Sequence, residues 1–157
     1  VQLVENLYRQ NPNSVLYTGA LAEVLINAER HIEAQRLLTA TLQLYPGNFP
    51  LEMLLGQSKI ATKDFIEAEL LLENQAKRRP NDVNVWYELA ETSGLAGNVT
   101  GVHLARAEYF YLNGAFHRAI QHLEYAQRLV DDANQQLEAK LTQKIQDLRT
   151  EIRRANS

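Results

Sequence analysis

Pro12, Pro46 and Pro80 recur every 34 residues, and the same interval runs through other registers of the chain. Leu21, Leu55 and Leu89 keep it, as do Ala22, Gly56 and Ala90, and the pairs Ala34 and Ala68, and Leu38 and Leu72. A fixed period of this length makes each unit one small supersecondary element that buries its apolar face only against its neighbours, so the architecture is a stacked array.

Each unit reads as two helices and two turns. Apolar residues at helical spacing run over Val15 to Ala28 and Phe49 to Thr62, and again, after a short break, over Ile32 to Tyr45 and Phe65 to Lys77. Asn13 and Ser14, then Asn48, then Asn81 and Asp82 stand where helix amino termini need a side-chain acceptor. Each proline ends a second helix, because its ring clashes with the preceding turn. Small residues at Ala22, Gly56, Ala90, Ala34 and Ala68 let helix backbones approach, and Leu38 and Leu72 fill the space beside them.

These features resemble the tetratricopeptide repeat over nearly the whole chain. Trp86, Leu89 and Ala90 match that family's tryptophan, leucine and small-residue slots, whereas Thr18 stands in the tryptophan slot of the first unit and His31 where an aromatic is usual. The resemblance implies an all-α, right-handed helical solenoid of about nine antiparallel helices in a single domain over 1–157. A partial leading repeat occupies 1–12, with Leu3, Val4 and Leu7 on one side, and regular repeats occupy 13–46 and 47–80. Because Val1 to Gln10 already reads as helix, the chain is expected to begin inside a longer protein.

The period then breaks. Steps of 34 residues from Leu72 and Ala68 reach Arg106 and Val102, and the pattern returns half a repeat later at Ala107, followed by Phe110, Gly114, Phe116, Ala119, Leu123 and Ala126. A half repeat over 81–98 therefore precedes the last repeat, 99–131. One helix, Val99 to Leu112, partners Val83 to Leu95 and also opens the last repeat. Its largely apolar circumference suits a helix contacted on several sides, and the array is expected to bend or tighten there. Leu137, Leu141, Ile145, Leu148 and Ile152 then form one stripe on a capping helix within 133–155, with a two-stranded coiled coil as the competing reading.

Residues with catalytic potential are sparse. His31, His103, His117 and His122 include no pair three or four apart around a carboxylate, and His117 and His122 point to different helix sides, so no metal site is expected. Ser58 and Ser93 lack a glycine elbow, and Gly94, Gly97, Gly101 and Gly114 mark helix ends rather than a phosphate loop. Glu67, Glu69 and Glu73 read as a solvated helix face, and Lys77, Arg78 and Arg79 as a favourable charge at a helix carboxy terminus. With no cysteine among 157 residues there is neither a disulfide nor a thiolate site, and the redox compartment stays open. Sixteen basic against 19 acidic residues, a net charge of -3, argue against nucleic-acid binding, and no apolar run is long enough to insert in a membrane. The chain is read as non-enzymatic, without a cofactor of its own.

Function then belongs to a surface. Glu23, Asn27, Met53, Gln57, Ile60, Tyr87, Glu91, Glu108 and Tyr111 fall at outward spacing on the first helices, an acidic, amphipathic and aromatic mixture. Glu23, Glu91 and Glu108 would repel a terminal carboxylate, so an extended or partly unfolded polypeptide suits the surface better. Met53, Tyr87 and Tyr111 could instead complete the core. The working surface is placed at the break, where Tyr87, Glu91, Arg106, Glu108 and Tyr111 are expected to converge. Arg106 stands where the period demands a buried leucine, so it must reach solvent or meet Glu91 or Glu108.

The run from Val85 to Val130 carries a closer likeness. Val85-Trp86-Tyr87-Glu88-Leu89-Ala90-Glu91-Thr92, Gly94-Leu95-Ala96-Gly97-Asn98, Gly101-Val102-His103, Ala105-Arg106-Ala107-Glu108-Tyr109-Phe110 and Gly114 resemble the carboxy-terminal repeat domain of the β-barrel assembly-enhancing proteases, a family of bacterial periplasmic zinc metallopeptidases. The resemblance implies a periplasmic location and a role in outer-membrane protein quality control. It also implies contacts with substrate polypeptides, the β-barrel assembly machinery and a peptidase domain in cis. The zinc and its His-Glu-x-x-His helix would lie upstream of Val1, in the peptidase domain. The alternative is a free-standing tetratricopeptide scaffold or co-chaperone with no peptidase attached.

Overall fold

The structure is a computed structural model describing residues 2–12, 14–131 and 133–155. Among these residues it contains nine α-helices and no strand: α1 (Gln2–Gln10), α2 (Val15–Asn27), α3 (His31–Leu44), α4 (Phe49–Ala61), α5 (Phe65–Arg78), α6 (Val83–Leu95), α7 (Val99–Leu112), α8 (Phe116–Leu129) and α9 (Gln135–Ala155). The chain divides into two compact units, Val1–Gln75 and Ala76–Ser157, with the boundary inside α5.

Local signals explain where these helices begin and end. The Ser14 hydroxyl accepts the Tyr17 N–H, Asn48 Oδ1 the Leu51 N–H, and Asp82 Oδ1 the Asn84 N–H, so each satisfies an amide that the first helical turn leaves free. Of the two capping candidates before α6, Asp82 takes the role and Asn81 sits in the preceding turn, while Asn13 lies outside the described residues. The carboxy termini of α2, α4, α6 and α7 share one device. Glu29, Lys63, Gly97 and Gly114 adopt positive φ, at 57°, 64°, 78° and 72°. The amide that follows each donates back to the carbonyl five residues earlier: Arg30 to Leu25, Asp64 to Lys59, Asn98 to Ser93 and Ala115 to Phe110, all within 2.9 Å. This left-handed closure satisfies orphan carbonyls and reverses the chain into the next helix.

In the first unit, Val4 and Tyr8 of α1 pack on Leu21, Leu25, Ile26 and Ala34, and Ala22, Leu38, Leu51 and Leu55 form an adjoining core. Ala68 and Leu72 of α5 are buried, as the period requires. One polar patch interrupts the apolar packing: Gln35 Nε2 donates to the Ser58 carbonyl and hydroxyl and to Thr62 Oγ1, and the Ser58 hydroxyl donates to the His31 carbonyl. The reading of Glu67, Glu69 and Glu73 as one solvated face holds for Glu67, which is exposed and pairs with Lys59, but not for Glu69, which is 8% exposed. Glu69 follows directly on Ala68, and the helix turn that buries the alanine carries it partly inward. Gly56 is buried, yet an added Cβ would meet nothing within 4 Å, so its small size is not required by a close helix approach.

In the second unit, α7 lies against both α6 and α8, as the half-repeat reading requires. Val85, Leu89 and Ala90 of α6 and Ala105 of α7 are buried, and Trp86 donates its indole N–H to the Pro80 carbonyl at 2.8 Å, tying the preceding turn to α6. Ala107, Ala119, Ile120, Leu123 and Ala126 join Leu141, Ile145 and Leu148 of α9 in one core, with Leu137 and Ile152 packed at its margins. The α9 stripe is thus consumed within the chain, which makes α9 a cap rather than a coiled-coil strand.

Candidate protein-binding surface

Arg106 resolves the break in the period by reaching outward. Its guanidinium Nη2 lies 3.5 Å from Glu91 Oε1, joining α7 to α6, and the two side chains remain 46% and 51% exposed. An ion pair this open contributes at most about 1 kcal/mol, so it orients the arginine more than it holds the junction. Beside it Tyr87 is 50% exposed, with its ring 5.8 Å from that of Tyr109 and tilted by 54°. Tyr87, Glu91 and Arg106 therefore form one half-exposed cluster.

Glu108 and Tyr111 are engaged elsewhere. Two residues along a helix rotate a side chain by about 200°, so Glu108 leaves α7 on another side from Arg106. There it forms a close ion pair with Lys144 of α9, whose ammonium sits 5.8 Å from the Tyr111 ring centroid. Tyr111 also approaches Phe116 at 5.9 Å. The expected convergence of five residues is thus two clusters on α7, one facing α6 and one held by the cap. In the first unit, Glu23 and Asn27 are exposed on α2, and Gln57 is exposed beside half-buried Met53 and Ile60 on α4, a helix that contacts α2.

A group missed in the sequence lies between α7 and α8. The Nδ1 atoms of His103 and His122 are 3.0 Å apart, so one imidazole donates and the other accepts. Their rings belong to a continuous series: Tyr109 meets Phe110 at 5.3 Å, Phe110 stacks on His122 at 5.3 Å, and Tyr125 lies 5.2 Å from His103. Arg118 and Arg128 sit over Phe110 and Tyr125. Burial holds both imidazoles below the usual histidine pKa, and the nearby Arg106 charge pushes the same way. The two histidines are nineteen residues apart, across the α7–α8 turn, which no single-helix spacing rule detects.

Among the described residues no three histidine, aspartate or glutamate side chains gather as a metal-ligand set, and no helix is long and apolar enough to cross a membrane. Ser58 and Ser93 are buried; Ser58 serves the Gln35 network.

Stacked helical repeats of this kind present extended surfaces suited to protein partners. Residues 25–92 match the tetratricopeptide repeat family model. The fold is similar to that of a MamA RS-1 ArsTM double mutant, at 17% identity and a TM-score of 0.65, over 96% of this chain and 83% of that one. It is equally similar to MamA 41-end from Desulfovibrio magneticus RS-1, at 17% identity and a TM-score of 0.65, over 96% and 84% of the two chains. No curated protein matches the chain in sequence.

Proposed function

We propose that this chain is the protein-binding repeat domain of a periplasmic zinc metallopeptidase, recruiting substrate polypeptides and engaging the outer-membrane β-barrel assembly machinery. The observation that carries the reading is the half-exposed cluster of Tyr87, Glu91 and Arg106, on the same α6–α7 pair whose residues resemble the β-barrel assembly-enhancing proteases. The Tyr87 ring, backed by Tyr109, supplies apolar contact area at little entropic cost, and Arg106 beside Glu91 offers a fixed dipole that orients a peptide backbone. Glu91 disfavours a terminal carboxylate, so internal, unfolded segments are the natural ligand. In this reading the zinc would be held by a peptidase domain upstream, as the resemblance to the assembly-enhancing proteases implies.

The test replaces Tyr87 and Arg106 singly by alanine and measures thermal stability together with affinity for an unfolded outer-membrane polypeptide. Weaker binding at unchanged stability supports the reading; stability and binding lost together assign the cluster a structural role. The full reading frame separates the parent proteins: a signal peptide and a His-Glu-x-x-His helix upstream indicate the peptidase, and a start codon just before Val1 a free-standing scaffold.

A further inference from the structure

In the second unit, α8 and the later turns of α9 enclose an open groove of about 790 Å³, lined by His117, Ile120, Arg149, Ile152 and Arg153 among others. A smaller hollow of about 350 Å³ shares His117 and Ile152 with it and adds Phe116 and Arg118, so the two form one continuous surface. Its chemistry runs against that of the whole chain, whose net charge is -3. Three arginines line it and no aspartate or glutamate does. Arg149 pairs with Glu124 at 2.7 Å, which offsets part of its charge, Arg153 donates to Thr150 Oγ1 at 3.2 Å, and Arg118 lies over the Phe110 ring. Ile120, Ile152 and Phe116 supply an apolar floor between them.

We propose that this groove is a second docking site, for an acidic amphipathic polypeptide segment. Its apolar side chains would cover the Ile120 and Ile152 floor while its carboxylates meet Arg118, Arg149 and Arg153. Charge complementarity selects the partner: cations flanking an apolar strip desolvate favourably only against a segment that carries both features. The site is separate from the Tyr87 and Arg106 cluster, and the proposal does not depend on that cluster's role.

The test uses the full chain and four fluorescent probes: a short peptide with leucines at helical spacing among aspartates and glutamates, the same peptide with serine for leucine, the same with lysine for each acid, and an oligothymidylate. The first is expected to bind, more weakly as salt rises, and the other three to bind at least about tenfold more weakly. Arg149→Glu with Arg153→Glu, and separately Arg118→Glu, which leaves the Glu124 pair intact, are each expected to weaken the first peptide about tenfold with helical content preserved. Ile152→Ser is expected to do the same through the floor. Equal binding of the serine peptide or tighter binding of the oligonucleotide would overturn the proposal in favour of a general anion surface. Indifference to the arginine reversals would overturn it outright. Dimerisation of the chain that the same reversals abolish would assign the groove to a second copy instead.

Discussion

Lys63 and Gly97 hold equivalent positions in consecutive repeats, 34 residues apart, with φ at 64° and 78°. An L-residue in this left-handed region costs about 1–2 kcal/mol, and glycine costs only its extra freedom in the unfolded chain, about 0.4–1 kcal/mol. Lys63 is exposed, with no ion pair among the described residues, so its replacement removes no contact that offsets the relief. Lys63→Gly should therefore stabilise the protein by about 0.5–1 kcal/mol, a rise in melting temperature of about 1–4 °C for a chain of this size. Gly97→Ala should lower stability by a similar amount through backbone strain alone, because an added Cβ there meets nothing within 4 Å. Lys63→Ala separates the causes, since it removes the side chain but keeps the strain, and should leave the midpoint near that of the natural protein. Thermal unfolding followed by circular dichroism measures all three. A lower midpoint for Lys63→Gly, or equal gains for the alanine and glycine variants, would refute the assignment of strain to this turn.

Gly56→Ala should add about 0.5–1 kcal/mol in urea unfolding, because the methyl group enters open space within α4 and helix propensity favours alanine. Leu123→Ala, at a position 2% exposed inside the α7–α8–α9 core, should cost about 2–5 kcal/mol by the same measurement. For His103 and His122 the folded pKa lies below the unfolded one, so the unfolded chain takes up protons first as pH falls. Their contribution to stability is whole above the ordinary histidine value of 6.5 and is lost below it. Urea midpoints measured between neutral and mildly acidic pH should fall, and the double variant His103→Gln with His122→Gln should flatten part of that slope.

The helices were legible because punctuation and periodicity agree. Prolines and side-chain acceptors bound α2 to α6 within a residue or two of the positions read from the sequence, and Ala22, Ala34, Ala68, Ala90, Ala107 and Ala119 are all buried as their spacing demands. The α9 stripe was equally clear, since five apolar residues at helical spacing need a partner face. Contacts across turns were not. His103 and His122 meet only because α7 and α8 fold back on each other, and Glu108 finds Lys144 from a helix much later in the chain. The left-handed turns at Glu29 and Lys63 were hidden because neither residue signals that conformation, although glycine at Gly97 and Gly114 hints at it. Arg106 was legible as an anomaly, and its pairing with Glu91 is one of the two outcomes its position allows.

The surface at the α6–α7 junction is most directly tested by in-cell photocrosslinking from position 87 of the full-length protein, in natural and Arg106→Glu backgrounds of matched thermal stability. Crosslinks to unfolded outer-membrane polypeptides and to β-barrel assembly components are expected, and the Arg106→Glu change should remove them. Absence of such crosslinks from position 87, or crosslinks indifferent to Arg106, would contradict the proposed binding role.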